Sequence, residues 1–254
     1  MDLQDKTIVI TGGGRGLGAA MAIRLANAGA KLALVDMDAD SLKDSQTACA
    51  DAGSPKVGTY QVNVTNEDAV VALFNDINSD FGAVHGLINN AGITRDALTL
   101  KYKDGEQVSK MSMEQWQLVM DVNLTGVFLC GREAAAKMIE GGNQGCIINI
   151  SSISRAGNMG QLNYSASKAG VQAMAVVWAK EFARYGIRSA SVAPGFIGTE
   201  MVTSMKPEAL AKLSAMIPAK RVGDPDEIAS TVQFILENDY ISGRCFDVDG
   251  ALRL

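Results

Sequence analysis

The chain has 254 residues, 47% hydrophobic and 20% charged, which is ample apolar material for a sizeable core and excludes a disordered segment. A net charge of −5 at pH 7 argues against a nucleic-acid partner, which needs a basic face. No uninterrupted apolar stretch of about 18 residues occurs, and the N-terminus "MDLQDK" is acidic, so neither a membrane partner nor a secretory signal is expected. The expected location is the cytoplasm.

In chain order, short apolar runs alternate with amphipathic segments. "TIVIT" (7–11) reads as a strand and precedes the helical pattern "GAAMAIRLANAGA"; "KLALVD" (31–36) precedes "DADSLKDSQTACADAG". "VGTYQVNV" (57–64) leads into "NEDAVVALFNDINSDFG", where Asn66 suits a helix cap and Glu67 and Asp68 suit the first turn. "VHGLINN" (84–90) is followed by a polar stretch and one long helix through "EQWQLVMDVNLTGVFLCGREAAAKMI". "CIINISS" (146–152) precedes a helix through "LNYSASKAGVQAMAVVWAKEFARYG", "IRSASVAPG" (187–195) precedes two further helical segments, and "RCFDVDG" closes the series. This repeated alternation implies βαβ crossovers and a parallel sheet covered on both faces. With no linker and no internal repeat, residues 1–254 read as one doubly wound α/β domain. Cys49, Cys130, Cys146 and Cys245 form no CxxC pair and His85 stands alone, so reduced thiols and no metal site are expected.

Ligands of such sheets bind outside the carboxyl ends of the strands, where the strand order reverses. After the first strand comes "TGGGRGLG", five glycines in eight residues, opening a helix. Glycines there let backbone approach a pyrophosphate, while the helix N-terminus supplies N–H groups and positive dipole. Gly12, Gly16 and Gly18 give GxxxGxG, whereas Gly14, Gly16 and Ala19 fit the GxGxxG fingerprint loosely. Asp36, ending the second strand 20 residues beyond Gly16, suits the adenosine ribose; the alternative is a cap in the turn "DMDADS".

"NYSASKAG" places Tyr164 and Lys168 four apart, on one face at the start of a helix. A free phenol has a pKa of about 10, and a neighbouring ammonium with an oxidised nicotinamide would lower it, so the pair can exchange a proton with a carbonyl or alcohol. Ser151 and Ser152, ending "NISS", bring hydroxyls that could polarise that carbonyl.

On "TGGGRGLG", "NNAG" (89–92), Asn123 in "MDVNLTG", Ser152, "YSASK" (164–168) and "APGFIGT" (193–199), the chain resembles the classical short-chain dehydrogenase/reductase family over essentially its full length. The resemblance implies a Rossmann fold with a seven-stranded parallel sheet, a nicotinamide dinucleotide and an Asn–Ser–Tyr–Lys tetrad. Tyr164 would be the acid/base, Lys168 would bind the nicotinamide ribose and tune Tyr164, Ser152 would hold the substrate oxygen, and Asn123 would support a proton-relay water. The cofactor would lie against Gly12, Gly14, Arg15, Gly16, Leu17 and Gly18, then Asp36, Asn63 and Val64. Asn90, Ala91 and Gly92 would line it further on, with Pro194, Gly195, Ile197 and Thr199 around the nicotinamide end. "NNAGITRD", "IPAKRVGDPDEIA" and "VDG" look most like 3-oxoacyl-[acyl-carrier-protein] reductases, which are homotetramers; the apolar tail "ALRL" would suit burial between subunits or stand in solvent. A carboxylate at Asp36 favours NAD(H), and Arg15 is the feature that often accompanies NADP(H). The alternatives are a dehydrogenase of another secondary alcohol (steroid, sugar or polyol) and an inactive dinucleotide-sensing module.

Four departures from the family pattern stand out. Asn63–Val64 replaces the usual Asp–Val pair, and the Asn63 carbonyl is expected to accept from the adenine amino group. The Ser152-to-Tyr164 interval is one short of the usual count, so counting selects Ser151 while the strand pattern selects Ser152, the choice we follow. An inserted loop at about 97–112 either shapes the substrate entrance or is an indifferent surface feature. The basic residues that receive an acidic carrier protein are missing but for Arg184. Finally, a lid at about 196–218 carries Met201, Met205 and Met216 and would give an adaptable apolar wall for an acyl chain.

Overall fold

The structure is a computed structural model describing residues 1–254, apart from the side chain of Met201. Its frame is the alternation read above: β1 (Thr7–Thr11), α1 (Gly16–Asn27), β2 (Lys31–Asp36), α2 (Ala39–Asp51), β3 (Val57–Gln61), α3 (Glu67–Phe81) and β4 (Gly86–Asn89). Strands β1 and β4 are buried throughout, as continuous apolar runs in a sheet covered on both faces must be. Alternation sorts their side chains. Ile8 and Ile10 join Leu32, Leu34, Ile88 and Ile148 under α1 and α2, whereas Val9, Ala33, Val35 and Leu87 face the opposite layer with α3. Asn66 caps α3, its Oδ1 accepting from Ala69 N at 2.9 Å, and Glu67 and Asp68 occupy the first turn.

The stretch read as an inserted loop is an antiparallel hairpin, β5 (Leu100–Lys103) and β6 (Glu106–Lys110). Its turn, Asp104–Gly105, has φ of +53° and +85°, the left-handed pair that a two-residue hairpin turn requires. Every residue of both strands is exposed.

The long helix predicted next is interrupted. α4 (Met113–Met120) starts with a capping box between Ser112 and Gln115, but Asp121–Thr125 winds as a π turn before α5 (Gly126–Glu140) resumes. Such bulges displace the hydrogen-bond ladder locally and recur at functional sites. β7 (Gly145–Ile150), α6 (Leu162–Glu181) and β8 (Ile187–Pro194) follow. Beyond β8 there are three helices rather than two, because the lid carries a one-turn α7 (Glu200–Thr203) before α8 (Pro207–Met216) and α9 (Pro225–Glu237). β9 (Cys245–Val248) completes a seven-stranded parallel sheet in the order β3-β2-β1-β4-β7-β8-β9, with α1, α2 and α9 on one face and α3, α5 and α6 on the other.

A small third cluster of Ile153, Ile217 and Leu252 anchors the end of the lid beside the residue that follows Ser152. In the tail, Leu252 is buried in its own chain, while Ala251, Arg253 and Leu254 are exposed. In the lid, Met205 and Met216 are exposed, and the Met201 side chain lies outside the described residues. Cys49, Cys130 and Cys146 are buried and Cys245 is half-buried, all as free thiols. His85 Nδ1 accepts from Thr7 N at 3.2 Å, a structural bond at the far end of the strands. Among the described residues, no helix is long and apolar enough to cross a membrane.

Candidate active site

Chain order runs outward from β1 to β3 on one side, then from β4 to β9 on the other, so the switch point lies between β1 and β4. The turn after β1 opens there. Gly12 and Gly16 take φ of +64° and +57°, conformations that L side chains rarely adopt. Gly18 is needed for a different reason: a Cβ there would overlap the Gly12 carbonyl oxygen and stand 2.9 Å from Asn90 Nδ2. Helix α1 thus starts pressed against its own turn, with its free N–H groups directed outward. Leu17 anchors that first turn to the core, and Arg15 is exposed beside it.

Asp36 completes this half. Its Oδ2 accepts from Gly14 N at 3.2 Å, and its Oδ1 accepts from Met37 N at 2.7 Å and Asp38 N at 3.2 Å. Asp38, not Asp36, caps α2. The carboxylate therefore bridges the glycine turn and the turn at Met37–Asp38, and does not cap α2 itself. Val64 is buried at the next strand end. Asn63 departs from expectation, since its Oδ1 already accepts from Thr65 N at 3.1 Å and Thr65 Oγ1 at 3.0 Å. Its carbonyl closes a local turn, which leaves the NH₂ as the end it can offer a base.

Across the switch point, Asn90 Nδ2 donates to Thr11 O at 3.1 Å and Gly12 O at 3.0 Å, tying the end of β4 to the turn. Thr11 Oγ1 accepts from Asn90 N at 3.0 Å and Ala91 N at 3.1 Å. Sequence reasoning passed over Thr11; its signal was a hydroxyl at a strand's carboxyl end immediately before the glycines. Gly195 N donates to Val248 O at 2.9 Å just past the buried Pro194, and Ile197 is buried. A Cβ on Gly16 would lie 3.9 Å from the Thr199 methyl, so the start of the lid comes down on the glycine turn.

The reactive side chains sit beside this cradle. Asn123, on the π turn and wholly buried, clamps one residue through both backbone groups: its Oδ1 accepts from Ile93 N at 2.8 Å and its Nδ2 donates to Ile93 O at 2.9 Å. A Cβ on Gly92 would stand 3.3 Å from Asn123 Oδ1 and 3.4 Å from Lys168 Nζ, so glycine there lets the three groups converge. The two serines part company. Ser151 Oγ donates to Lys168 O at 2.7 Å, which turns it into the α6 packing, whereas Ser152 Oγ accepts from Ser154 N at 3.1 Å and stands beside the Tyr164 phenol, whose pKa it lowers.

The electrostatics differ from the sequence expectation. Burial pushes the Tyr164 phenol up, the Ser152 hydrogen bond pulls it down, and the Asp96 carboxylate pushes it up again. Asp96 was not foreseen as a neighbour of the phenol, because only the fold brings the hairpin's root to α6. Lys168 Nζ donates to Ile150 O at 2.8 Å and lies over the tyrosine ring, 5.6 Å from its centroid. The ammonium therefore meets the ring face rather than the phenol oxygen, and burial drags Lys168 itself from 10.5 down to about 8.

This depression has a consequence for stability. A lysine whose folded pKa is lowered is penalised for carrying its proton in the native state. The penalty, about 3 kcal/mol, is present in full below pH 8 and fades as pH rises through 8 to 10.5. Lys168→Met keeps the chain length without the charge. In urea unfolding, the stability of the wild type relative to this variant should climb between pH 8 and 10.5; a difference independent of pH would contradict it.

The residues present fit a dinucleotide: the cradle has no room for a Cβ at Gly14 or Gly18, and an anchored carboxylate closes its far end. A doubly wound sheet with that cradle on one side of its switch point and a buried Tyr–Lys–Ser cluster on the other defines an oxidoreductase that works with a nicotinamide dinucleotide. A family model described as Enoyl-(Acyl carrier protein) reductase matches residues 12–252. A 3-oxoacyl-[acyl-carrier-protein] reductase of Synechocystis sp. is 39% identical over 98% of both chains. A (3R)-3-hydroxyacyl-CoA dehydrogenase of Mus musculus is 37% identical over 98% of this chain and 97% of its own. The crystal structure of NAD⁺-bound xylitol dehydrogenase superposes with a TM-score of 0.88 at 25% identity, covering 99% of this chain and 100% of that one. The chain belongs to the short-chain dehydrogenase/reductase family.

Proposed function

We propose that this protein is an NAD(H)-linked reductase of 3-oxoacyl thioesters, carried by acyl-carrier protein or CoA, giving the 3-hydroxyacyl product. The observation that carries the chemistry is the buried cluster beside the dinucleotide cradle, in which Lys168 Nζ lies 5.6 Å over the Tyr164 ring and the Ser152 hydroxyl pulls the phenol's pKa down. The substrate class is supported by relatives named for it, a 3-oxoacyl-[acyl-carrier-protein] reductase and a (3R)-3-hydroxyacyl-CoA dehydrogenase.

When bound in the cradle, a reduced nicotinamide would supply a hydride to the carbonyl carbon. Ser152 Oγ donates to the carbonyl oxygen and orients it, and Tyr164 Oη delivers the proton to the same oxygen. Lys168, held by Ile150 O, would offer its remaining N–H donors to the nicotinamide ribose, and its charge lies over the ring of the phenolate left behind. Asn123 fixes Ile93, and with it the backbone after Gly92, while its place on the π turn supports a relay water that reprotonates the site.

Asp36 supports NAD(H). Three backbone amides hold its carboxylate at the ribose end, where it accepts from a 2′-hydroxyl and repels a 2′-phosphate. Arg15, on an exposed stretch of the turn, can swing into solvent. Exposed Leu118, Phe128 and Val177 on α4, α5 and α6 suit burial in a homotetramer, and the cytoplasm suits the substrate.

The polyol reading has one observation in its favour, the xylitol dehydrogenase likeness. A single panel separates the two. With 3-oxoacyl-CoA substrates, kcat/KM should be about tenfold or more higher with NADH than with NADPH, and Asp36→Ala should narrow the ratio. It should also rise as the chain lengthens from acetoacetyl, by up to about 0.8 kcal/mol per buried methylene, if the lid closes on the acyl chain. Good turnover of sugar or polyol ketones with flat thioester efficiency would replace this reading.

A further inference from the structure

We infer that Asn163 is a positioning residue for Tyr164: one buried amide sets the first turn of α6 against both ends of the inserted hairpin, and thereby fixes where the phenol stands. The inference rests on the proposed role of Tyr164 as proton donor.

The first N–H groups of a helix have no partner within it and need one from outside. At the start of α6 the cap position, Gln161, makes no side-chain bond to them. Its amide faces the other way, with Nε2 donating to Asp96 Oδ2 at 2.9 Å and Oε1 accepting from Ser154 Oγ and Asn158 Nδ2, both at 3.0 Å. Asn163, wholly buried, takes the place of the cap, its Oδ1 accepting from Tyr164 N at 2.8 Å.

The other end of the same amide is engaged twice. Nδ2 donates to Arg95 O at 3.1 Å and to Gln115 O at 3.0 Å. Arg95 lies just before the hairpin and Gln115 lies on α4 just after it. The first leg is pinned again where Ala97 N donates to Gly160 O at 2.8 Å. Both donors and the acceptor of Asn163 are thus satisfied, joining two segments distant in sequence, at Arg95 and Gln115, to the backbone of Tyr164. Ser152, the phenol's partner, stands on a different element, past the end of β7. Any shift of the first turn of α6 therefore changes the Tyr164–Ser152 geometry directly.

Two variants divide the amide's contacts. Asn163→Asp keeps the size and the acceptor for Tyr164 N but turns an oxygen toward two carbonyls. Asn163→Ser keeps a short acceptor near Tyr164 N, cannot span to both carbonyls, and keeps the test open where the aspartate variant fails to fold. For each folded variant, kcat, KM, the NADH Kd from nucleotide fluorescence and the pH dependence of kcat are measured beside Tyr164→Phe. We expect kcat to fall by about tenfold or more with NADH Kd within about twofold, and the midpoint of the kcat–pH profile to rise by about half a unit or more as the phenol moves away from the Ser152 hydroxyl. A merely structural amide would lower the melting temperature and leave that midpoint in place. Wild-type kcat and midpoint in a folded variant, with Tyr164→Phe inactive, would overturn the inference. An active Tyr164→Phe protein would instead overturn the donor assignment, and the inference with it.

Discussion

Tyr164→Phe should lower kcat by about a hundredfold or more while the NADH Kd stays within about twofold. The change deletes one oxygen and leaves the ring, so the face presented to Lys168 Nζ survives. What is lost is the proton donor, and a general acid in this position is worth about 10²–10⁴ in rate. The serines sharpen the test. Ser152→Ala removes the hydroxyl that lowers the phenol's pKa and should damage kcat strongly, whereas Ser151→Ala removes a bond to Lys168 O and should act chiefly on stability. Near-normal turnover by Tyr164→Phe would remove the tyrosine from the chemistry. A more severe effect from Ser151 than from Ser152 would show that the pairing seen at the end of β7 is not the working one.

Much of this site was legible because its parts lie at strand ends, and strand ends are what alternation and glycine spacing reveal. "TIVIT" followed by five glycines in eight residues marks the turn that opens α1, and the spacing of Tyr164 and Lys168 on one helix face picks out the pair to which we assign the proton chemistry. The hairpin carries its own signal within the inserted stretch: "KDGE" holds an Asp-Gly turn, and Leu98, Leu100 and Tyr102 alternate ahead of it. Other features leave no mark in one dimension. A π turn at Asp121–Thr125 preserves the apolar pattern on either side, so nothing in "MDVNLTG" distinguishes it from ordinary helix. The Asn63 carbonyl is claimed by Thr65, a local competitor that spacing alone does not weigh. The electrostatic surprise at Tyr164 has the same origin, since burial and the approach of Asp96 are properties of the packed molecule.

Gly18→Ala should cost about a hundredfold in NADH affinity, and Gly16→Ala distinctly less. The two glycines answer different demands. At Gly16 the backbone is left-handed but the space is open, with the Thr199 methyl 3.9 Å from a Cβ, so alanine there pays mainly the left-handed conformation, about 1–2 kcal/mol. At Gly18 the added methyl would run into the Gly12 carbonyl, standing 2.7 Å from its carbon. That obstacle is backbone, so no rotamer change relieves it and α1 must move away from β1. Overpacking against movable side chains already costs about 1–3 kcal/mol. Here the displaced element is the helix N-terminus whose N–H groups and dipole would hold the pyrophosphate. Hydrogen bonds to charged groups contribute about 1.5–3 kcal/mol each, so misaiming one or two of them reaches the hundredfold loss. The same displacement would press on Asn90 Nδ2, which bridges Thr11 O and Gly12 O across the switch point, so a lower melting temperature should accompany the weaker binding. Titration of NADH fluorescence with the two variants reads the order directly. If Gly18→Ala binds NADH as tightly as the wild type, the cofactor does not depend on the close approach of α1 to its turn.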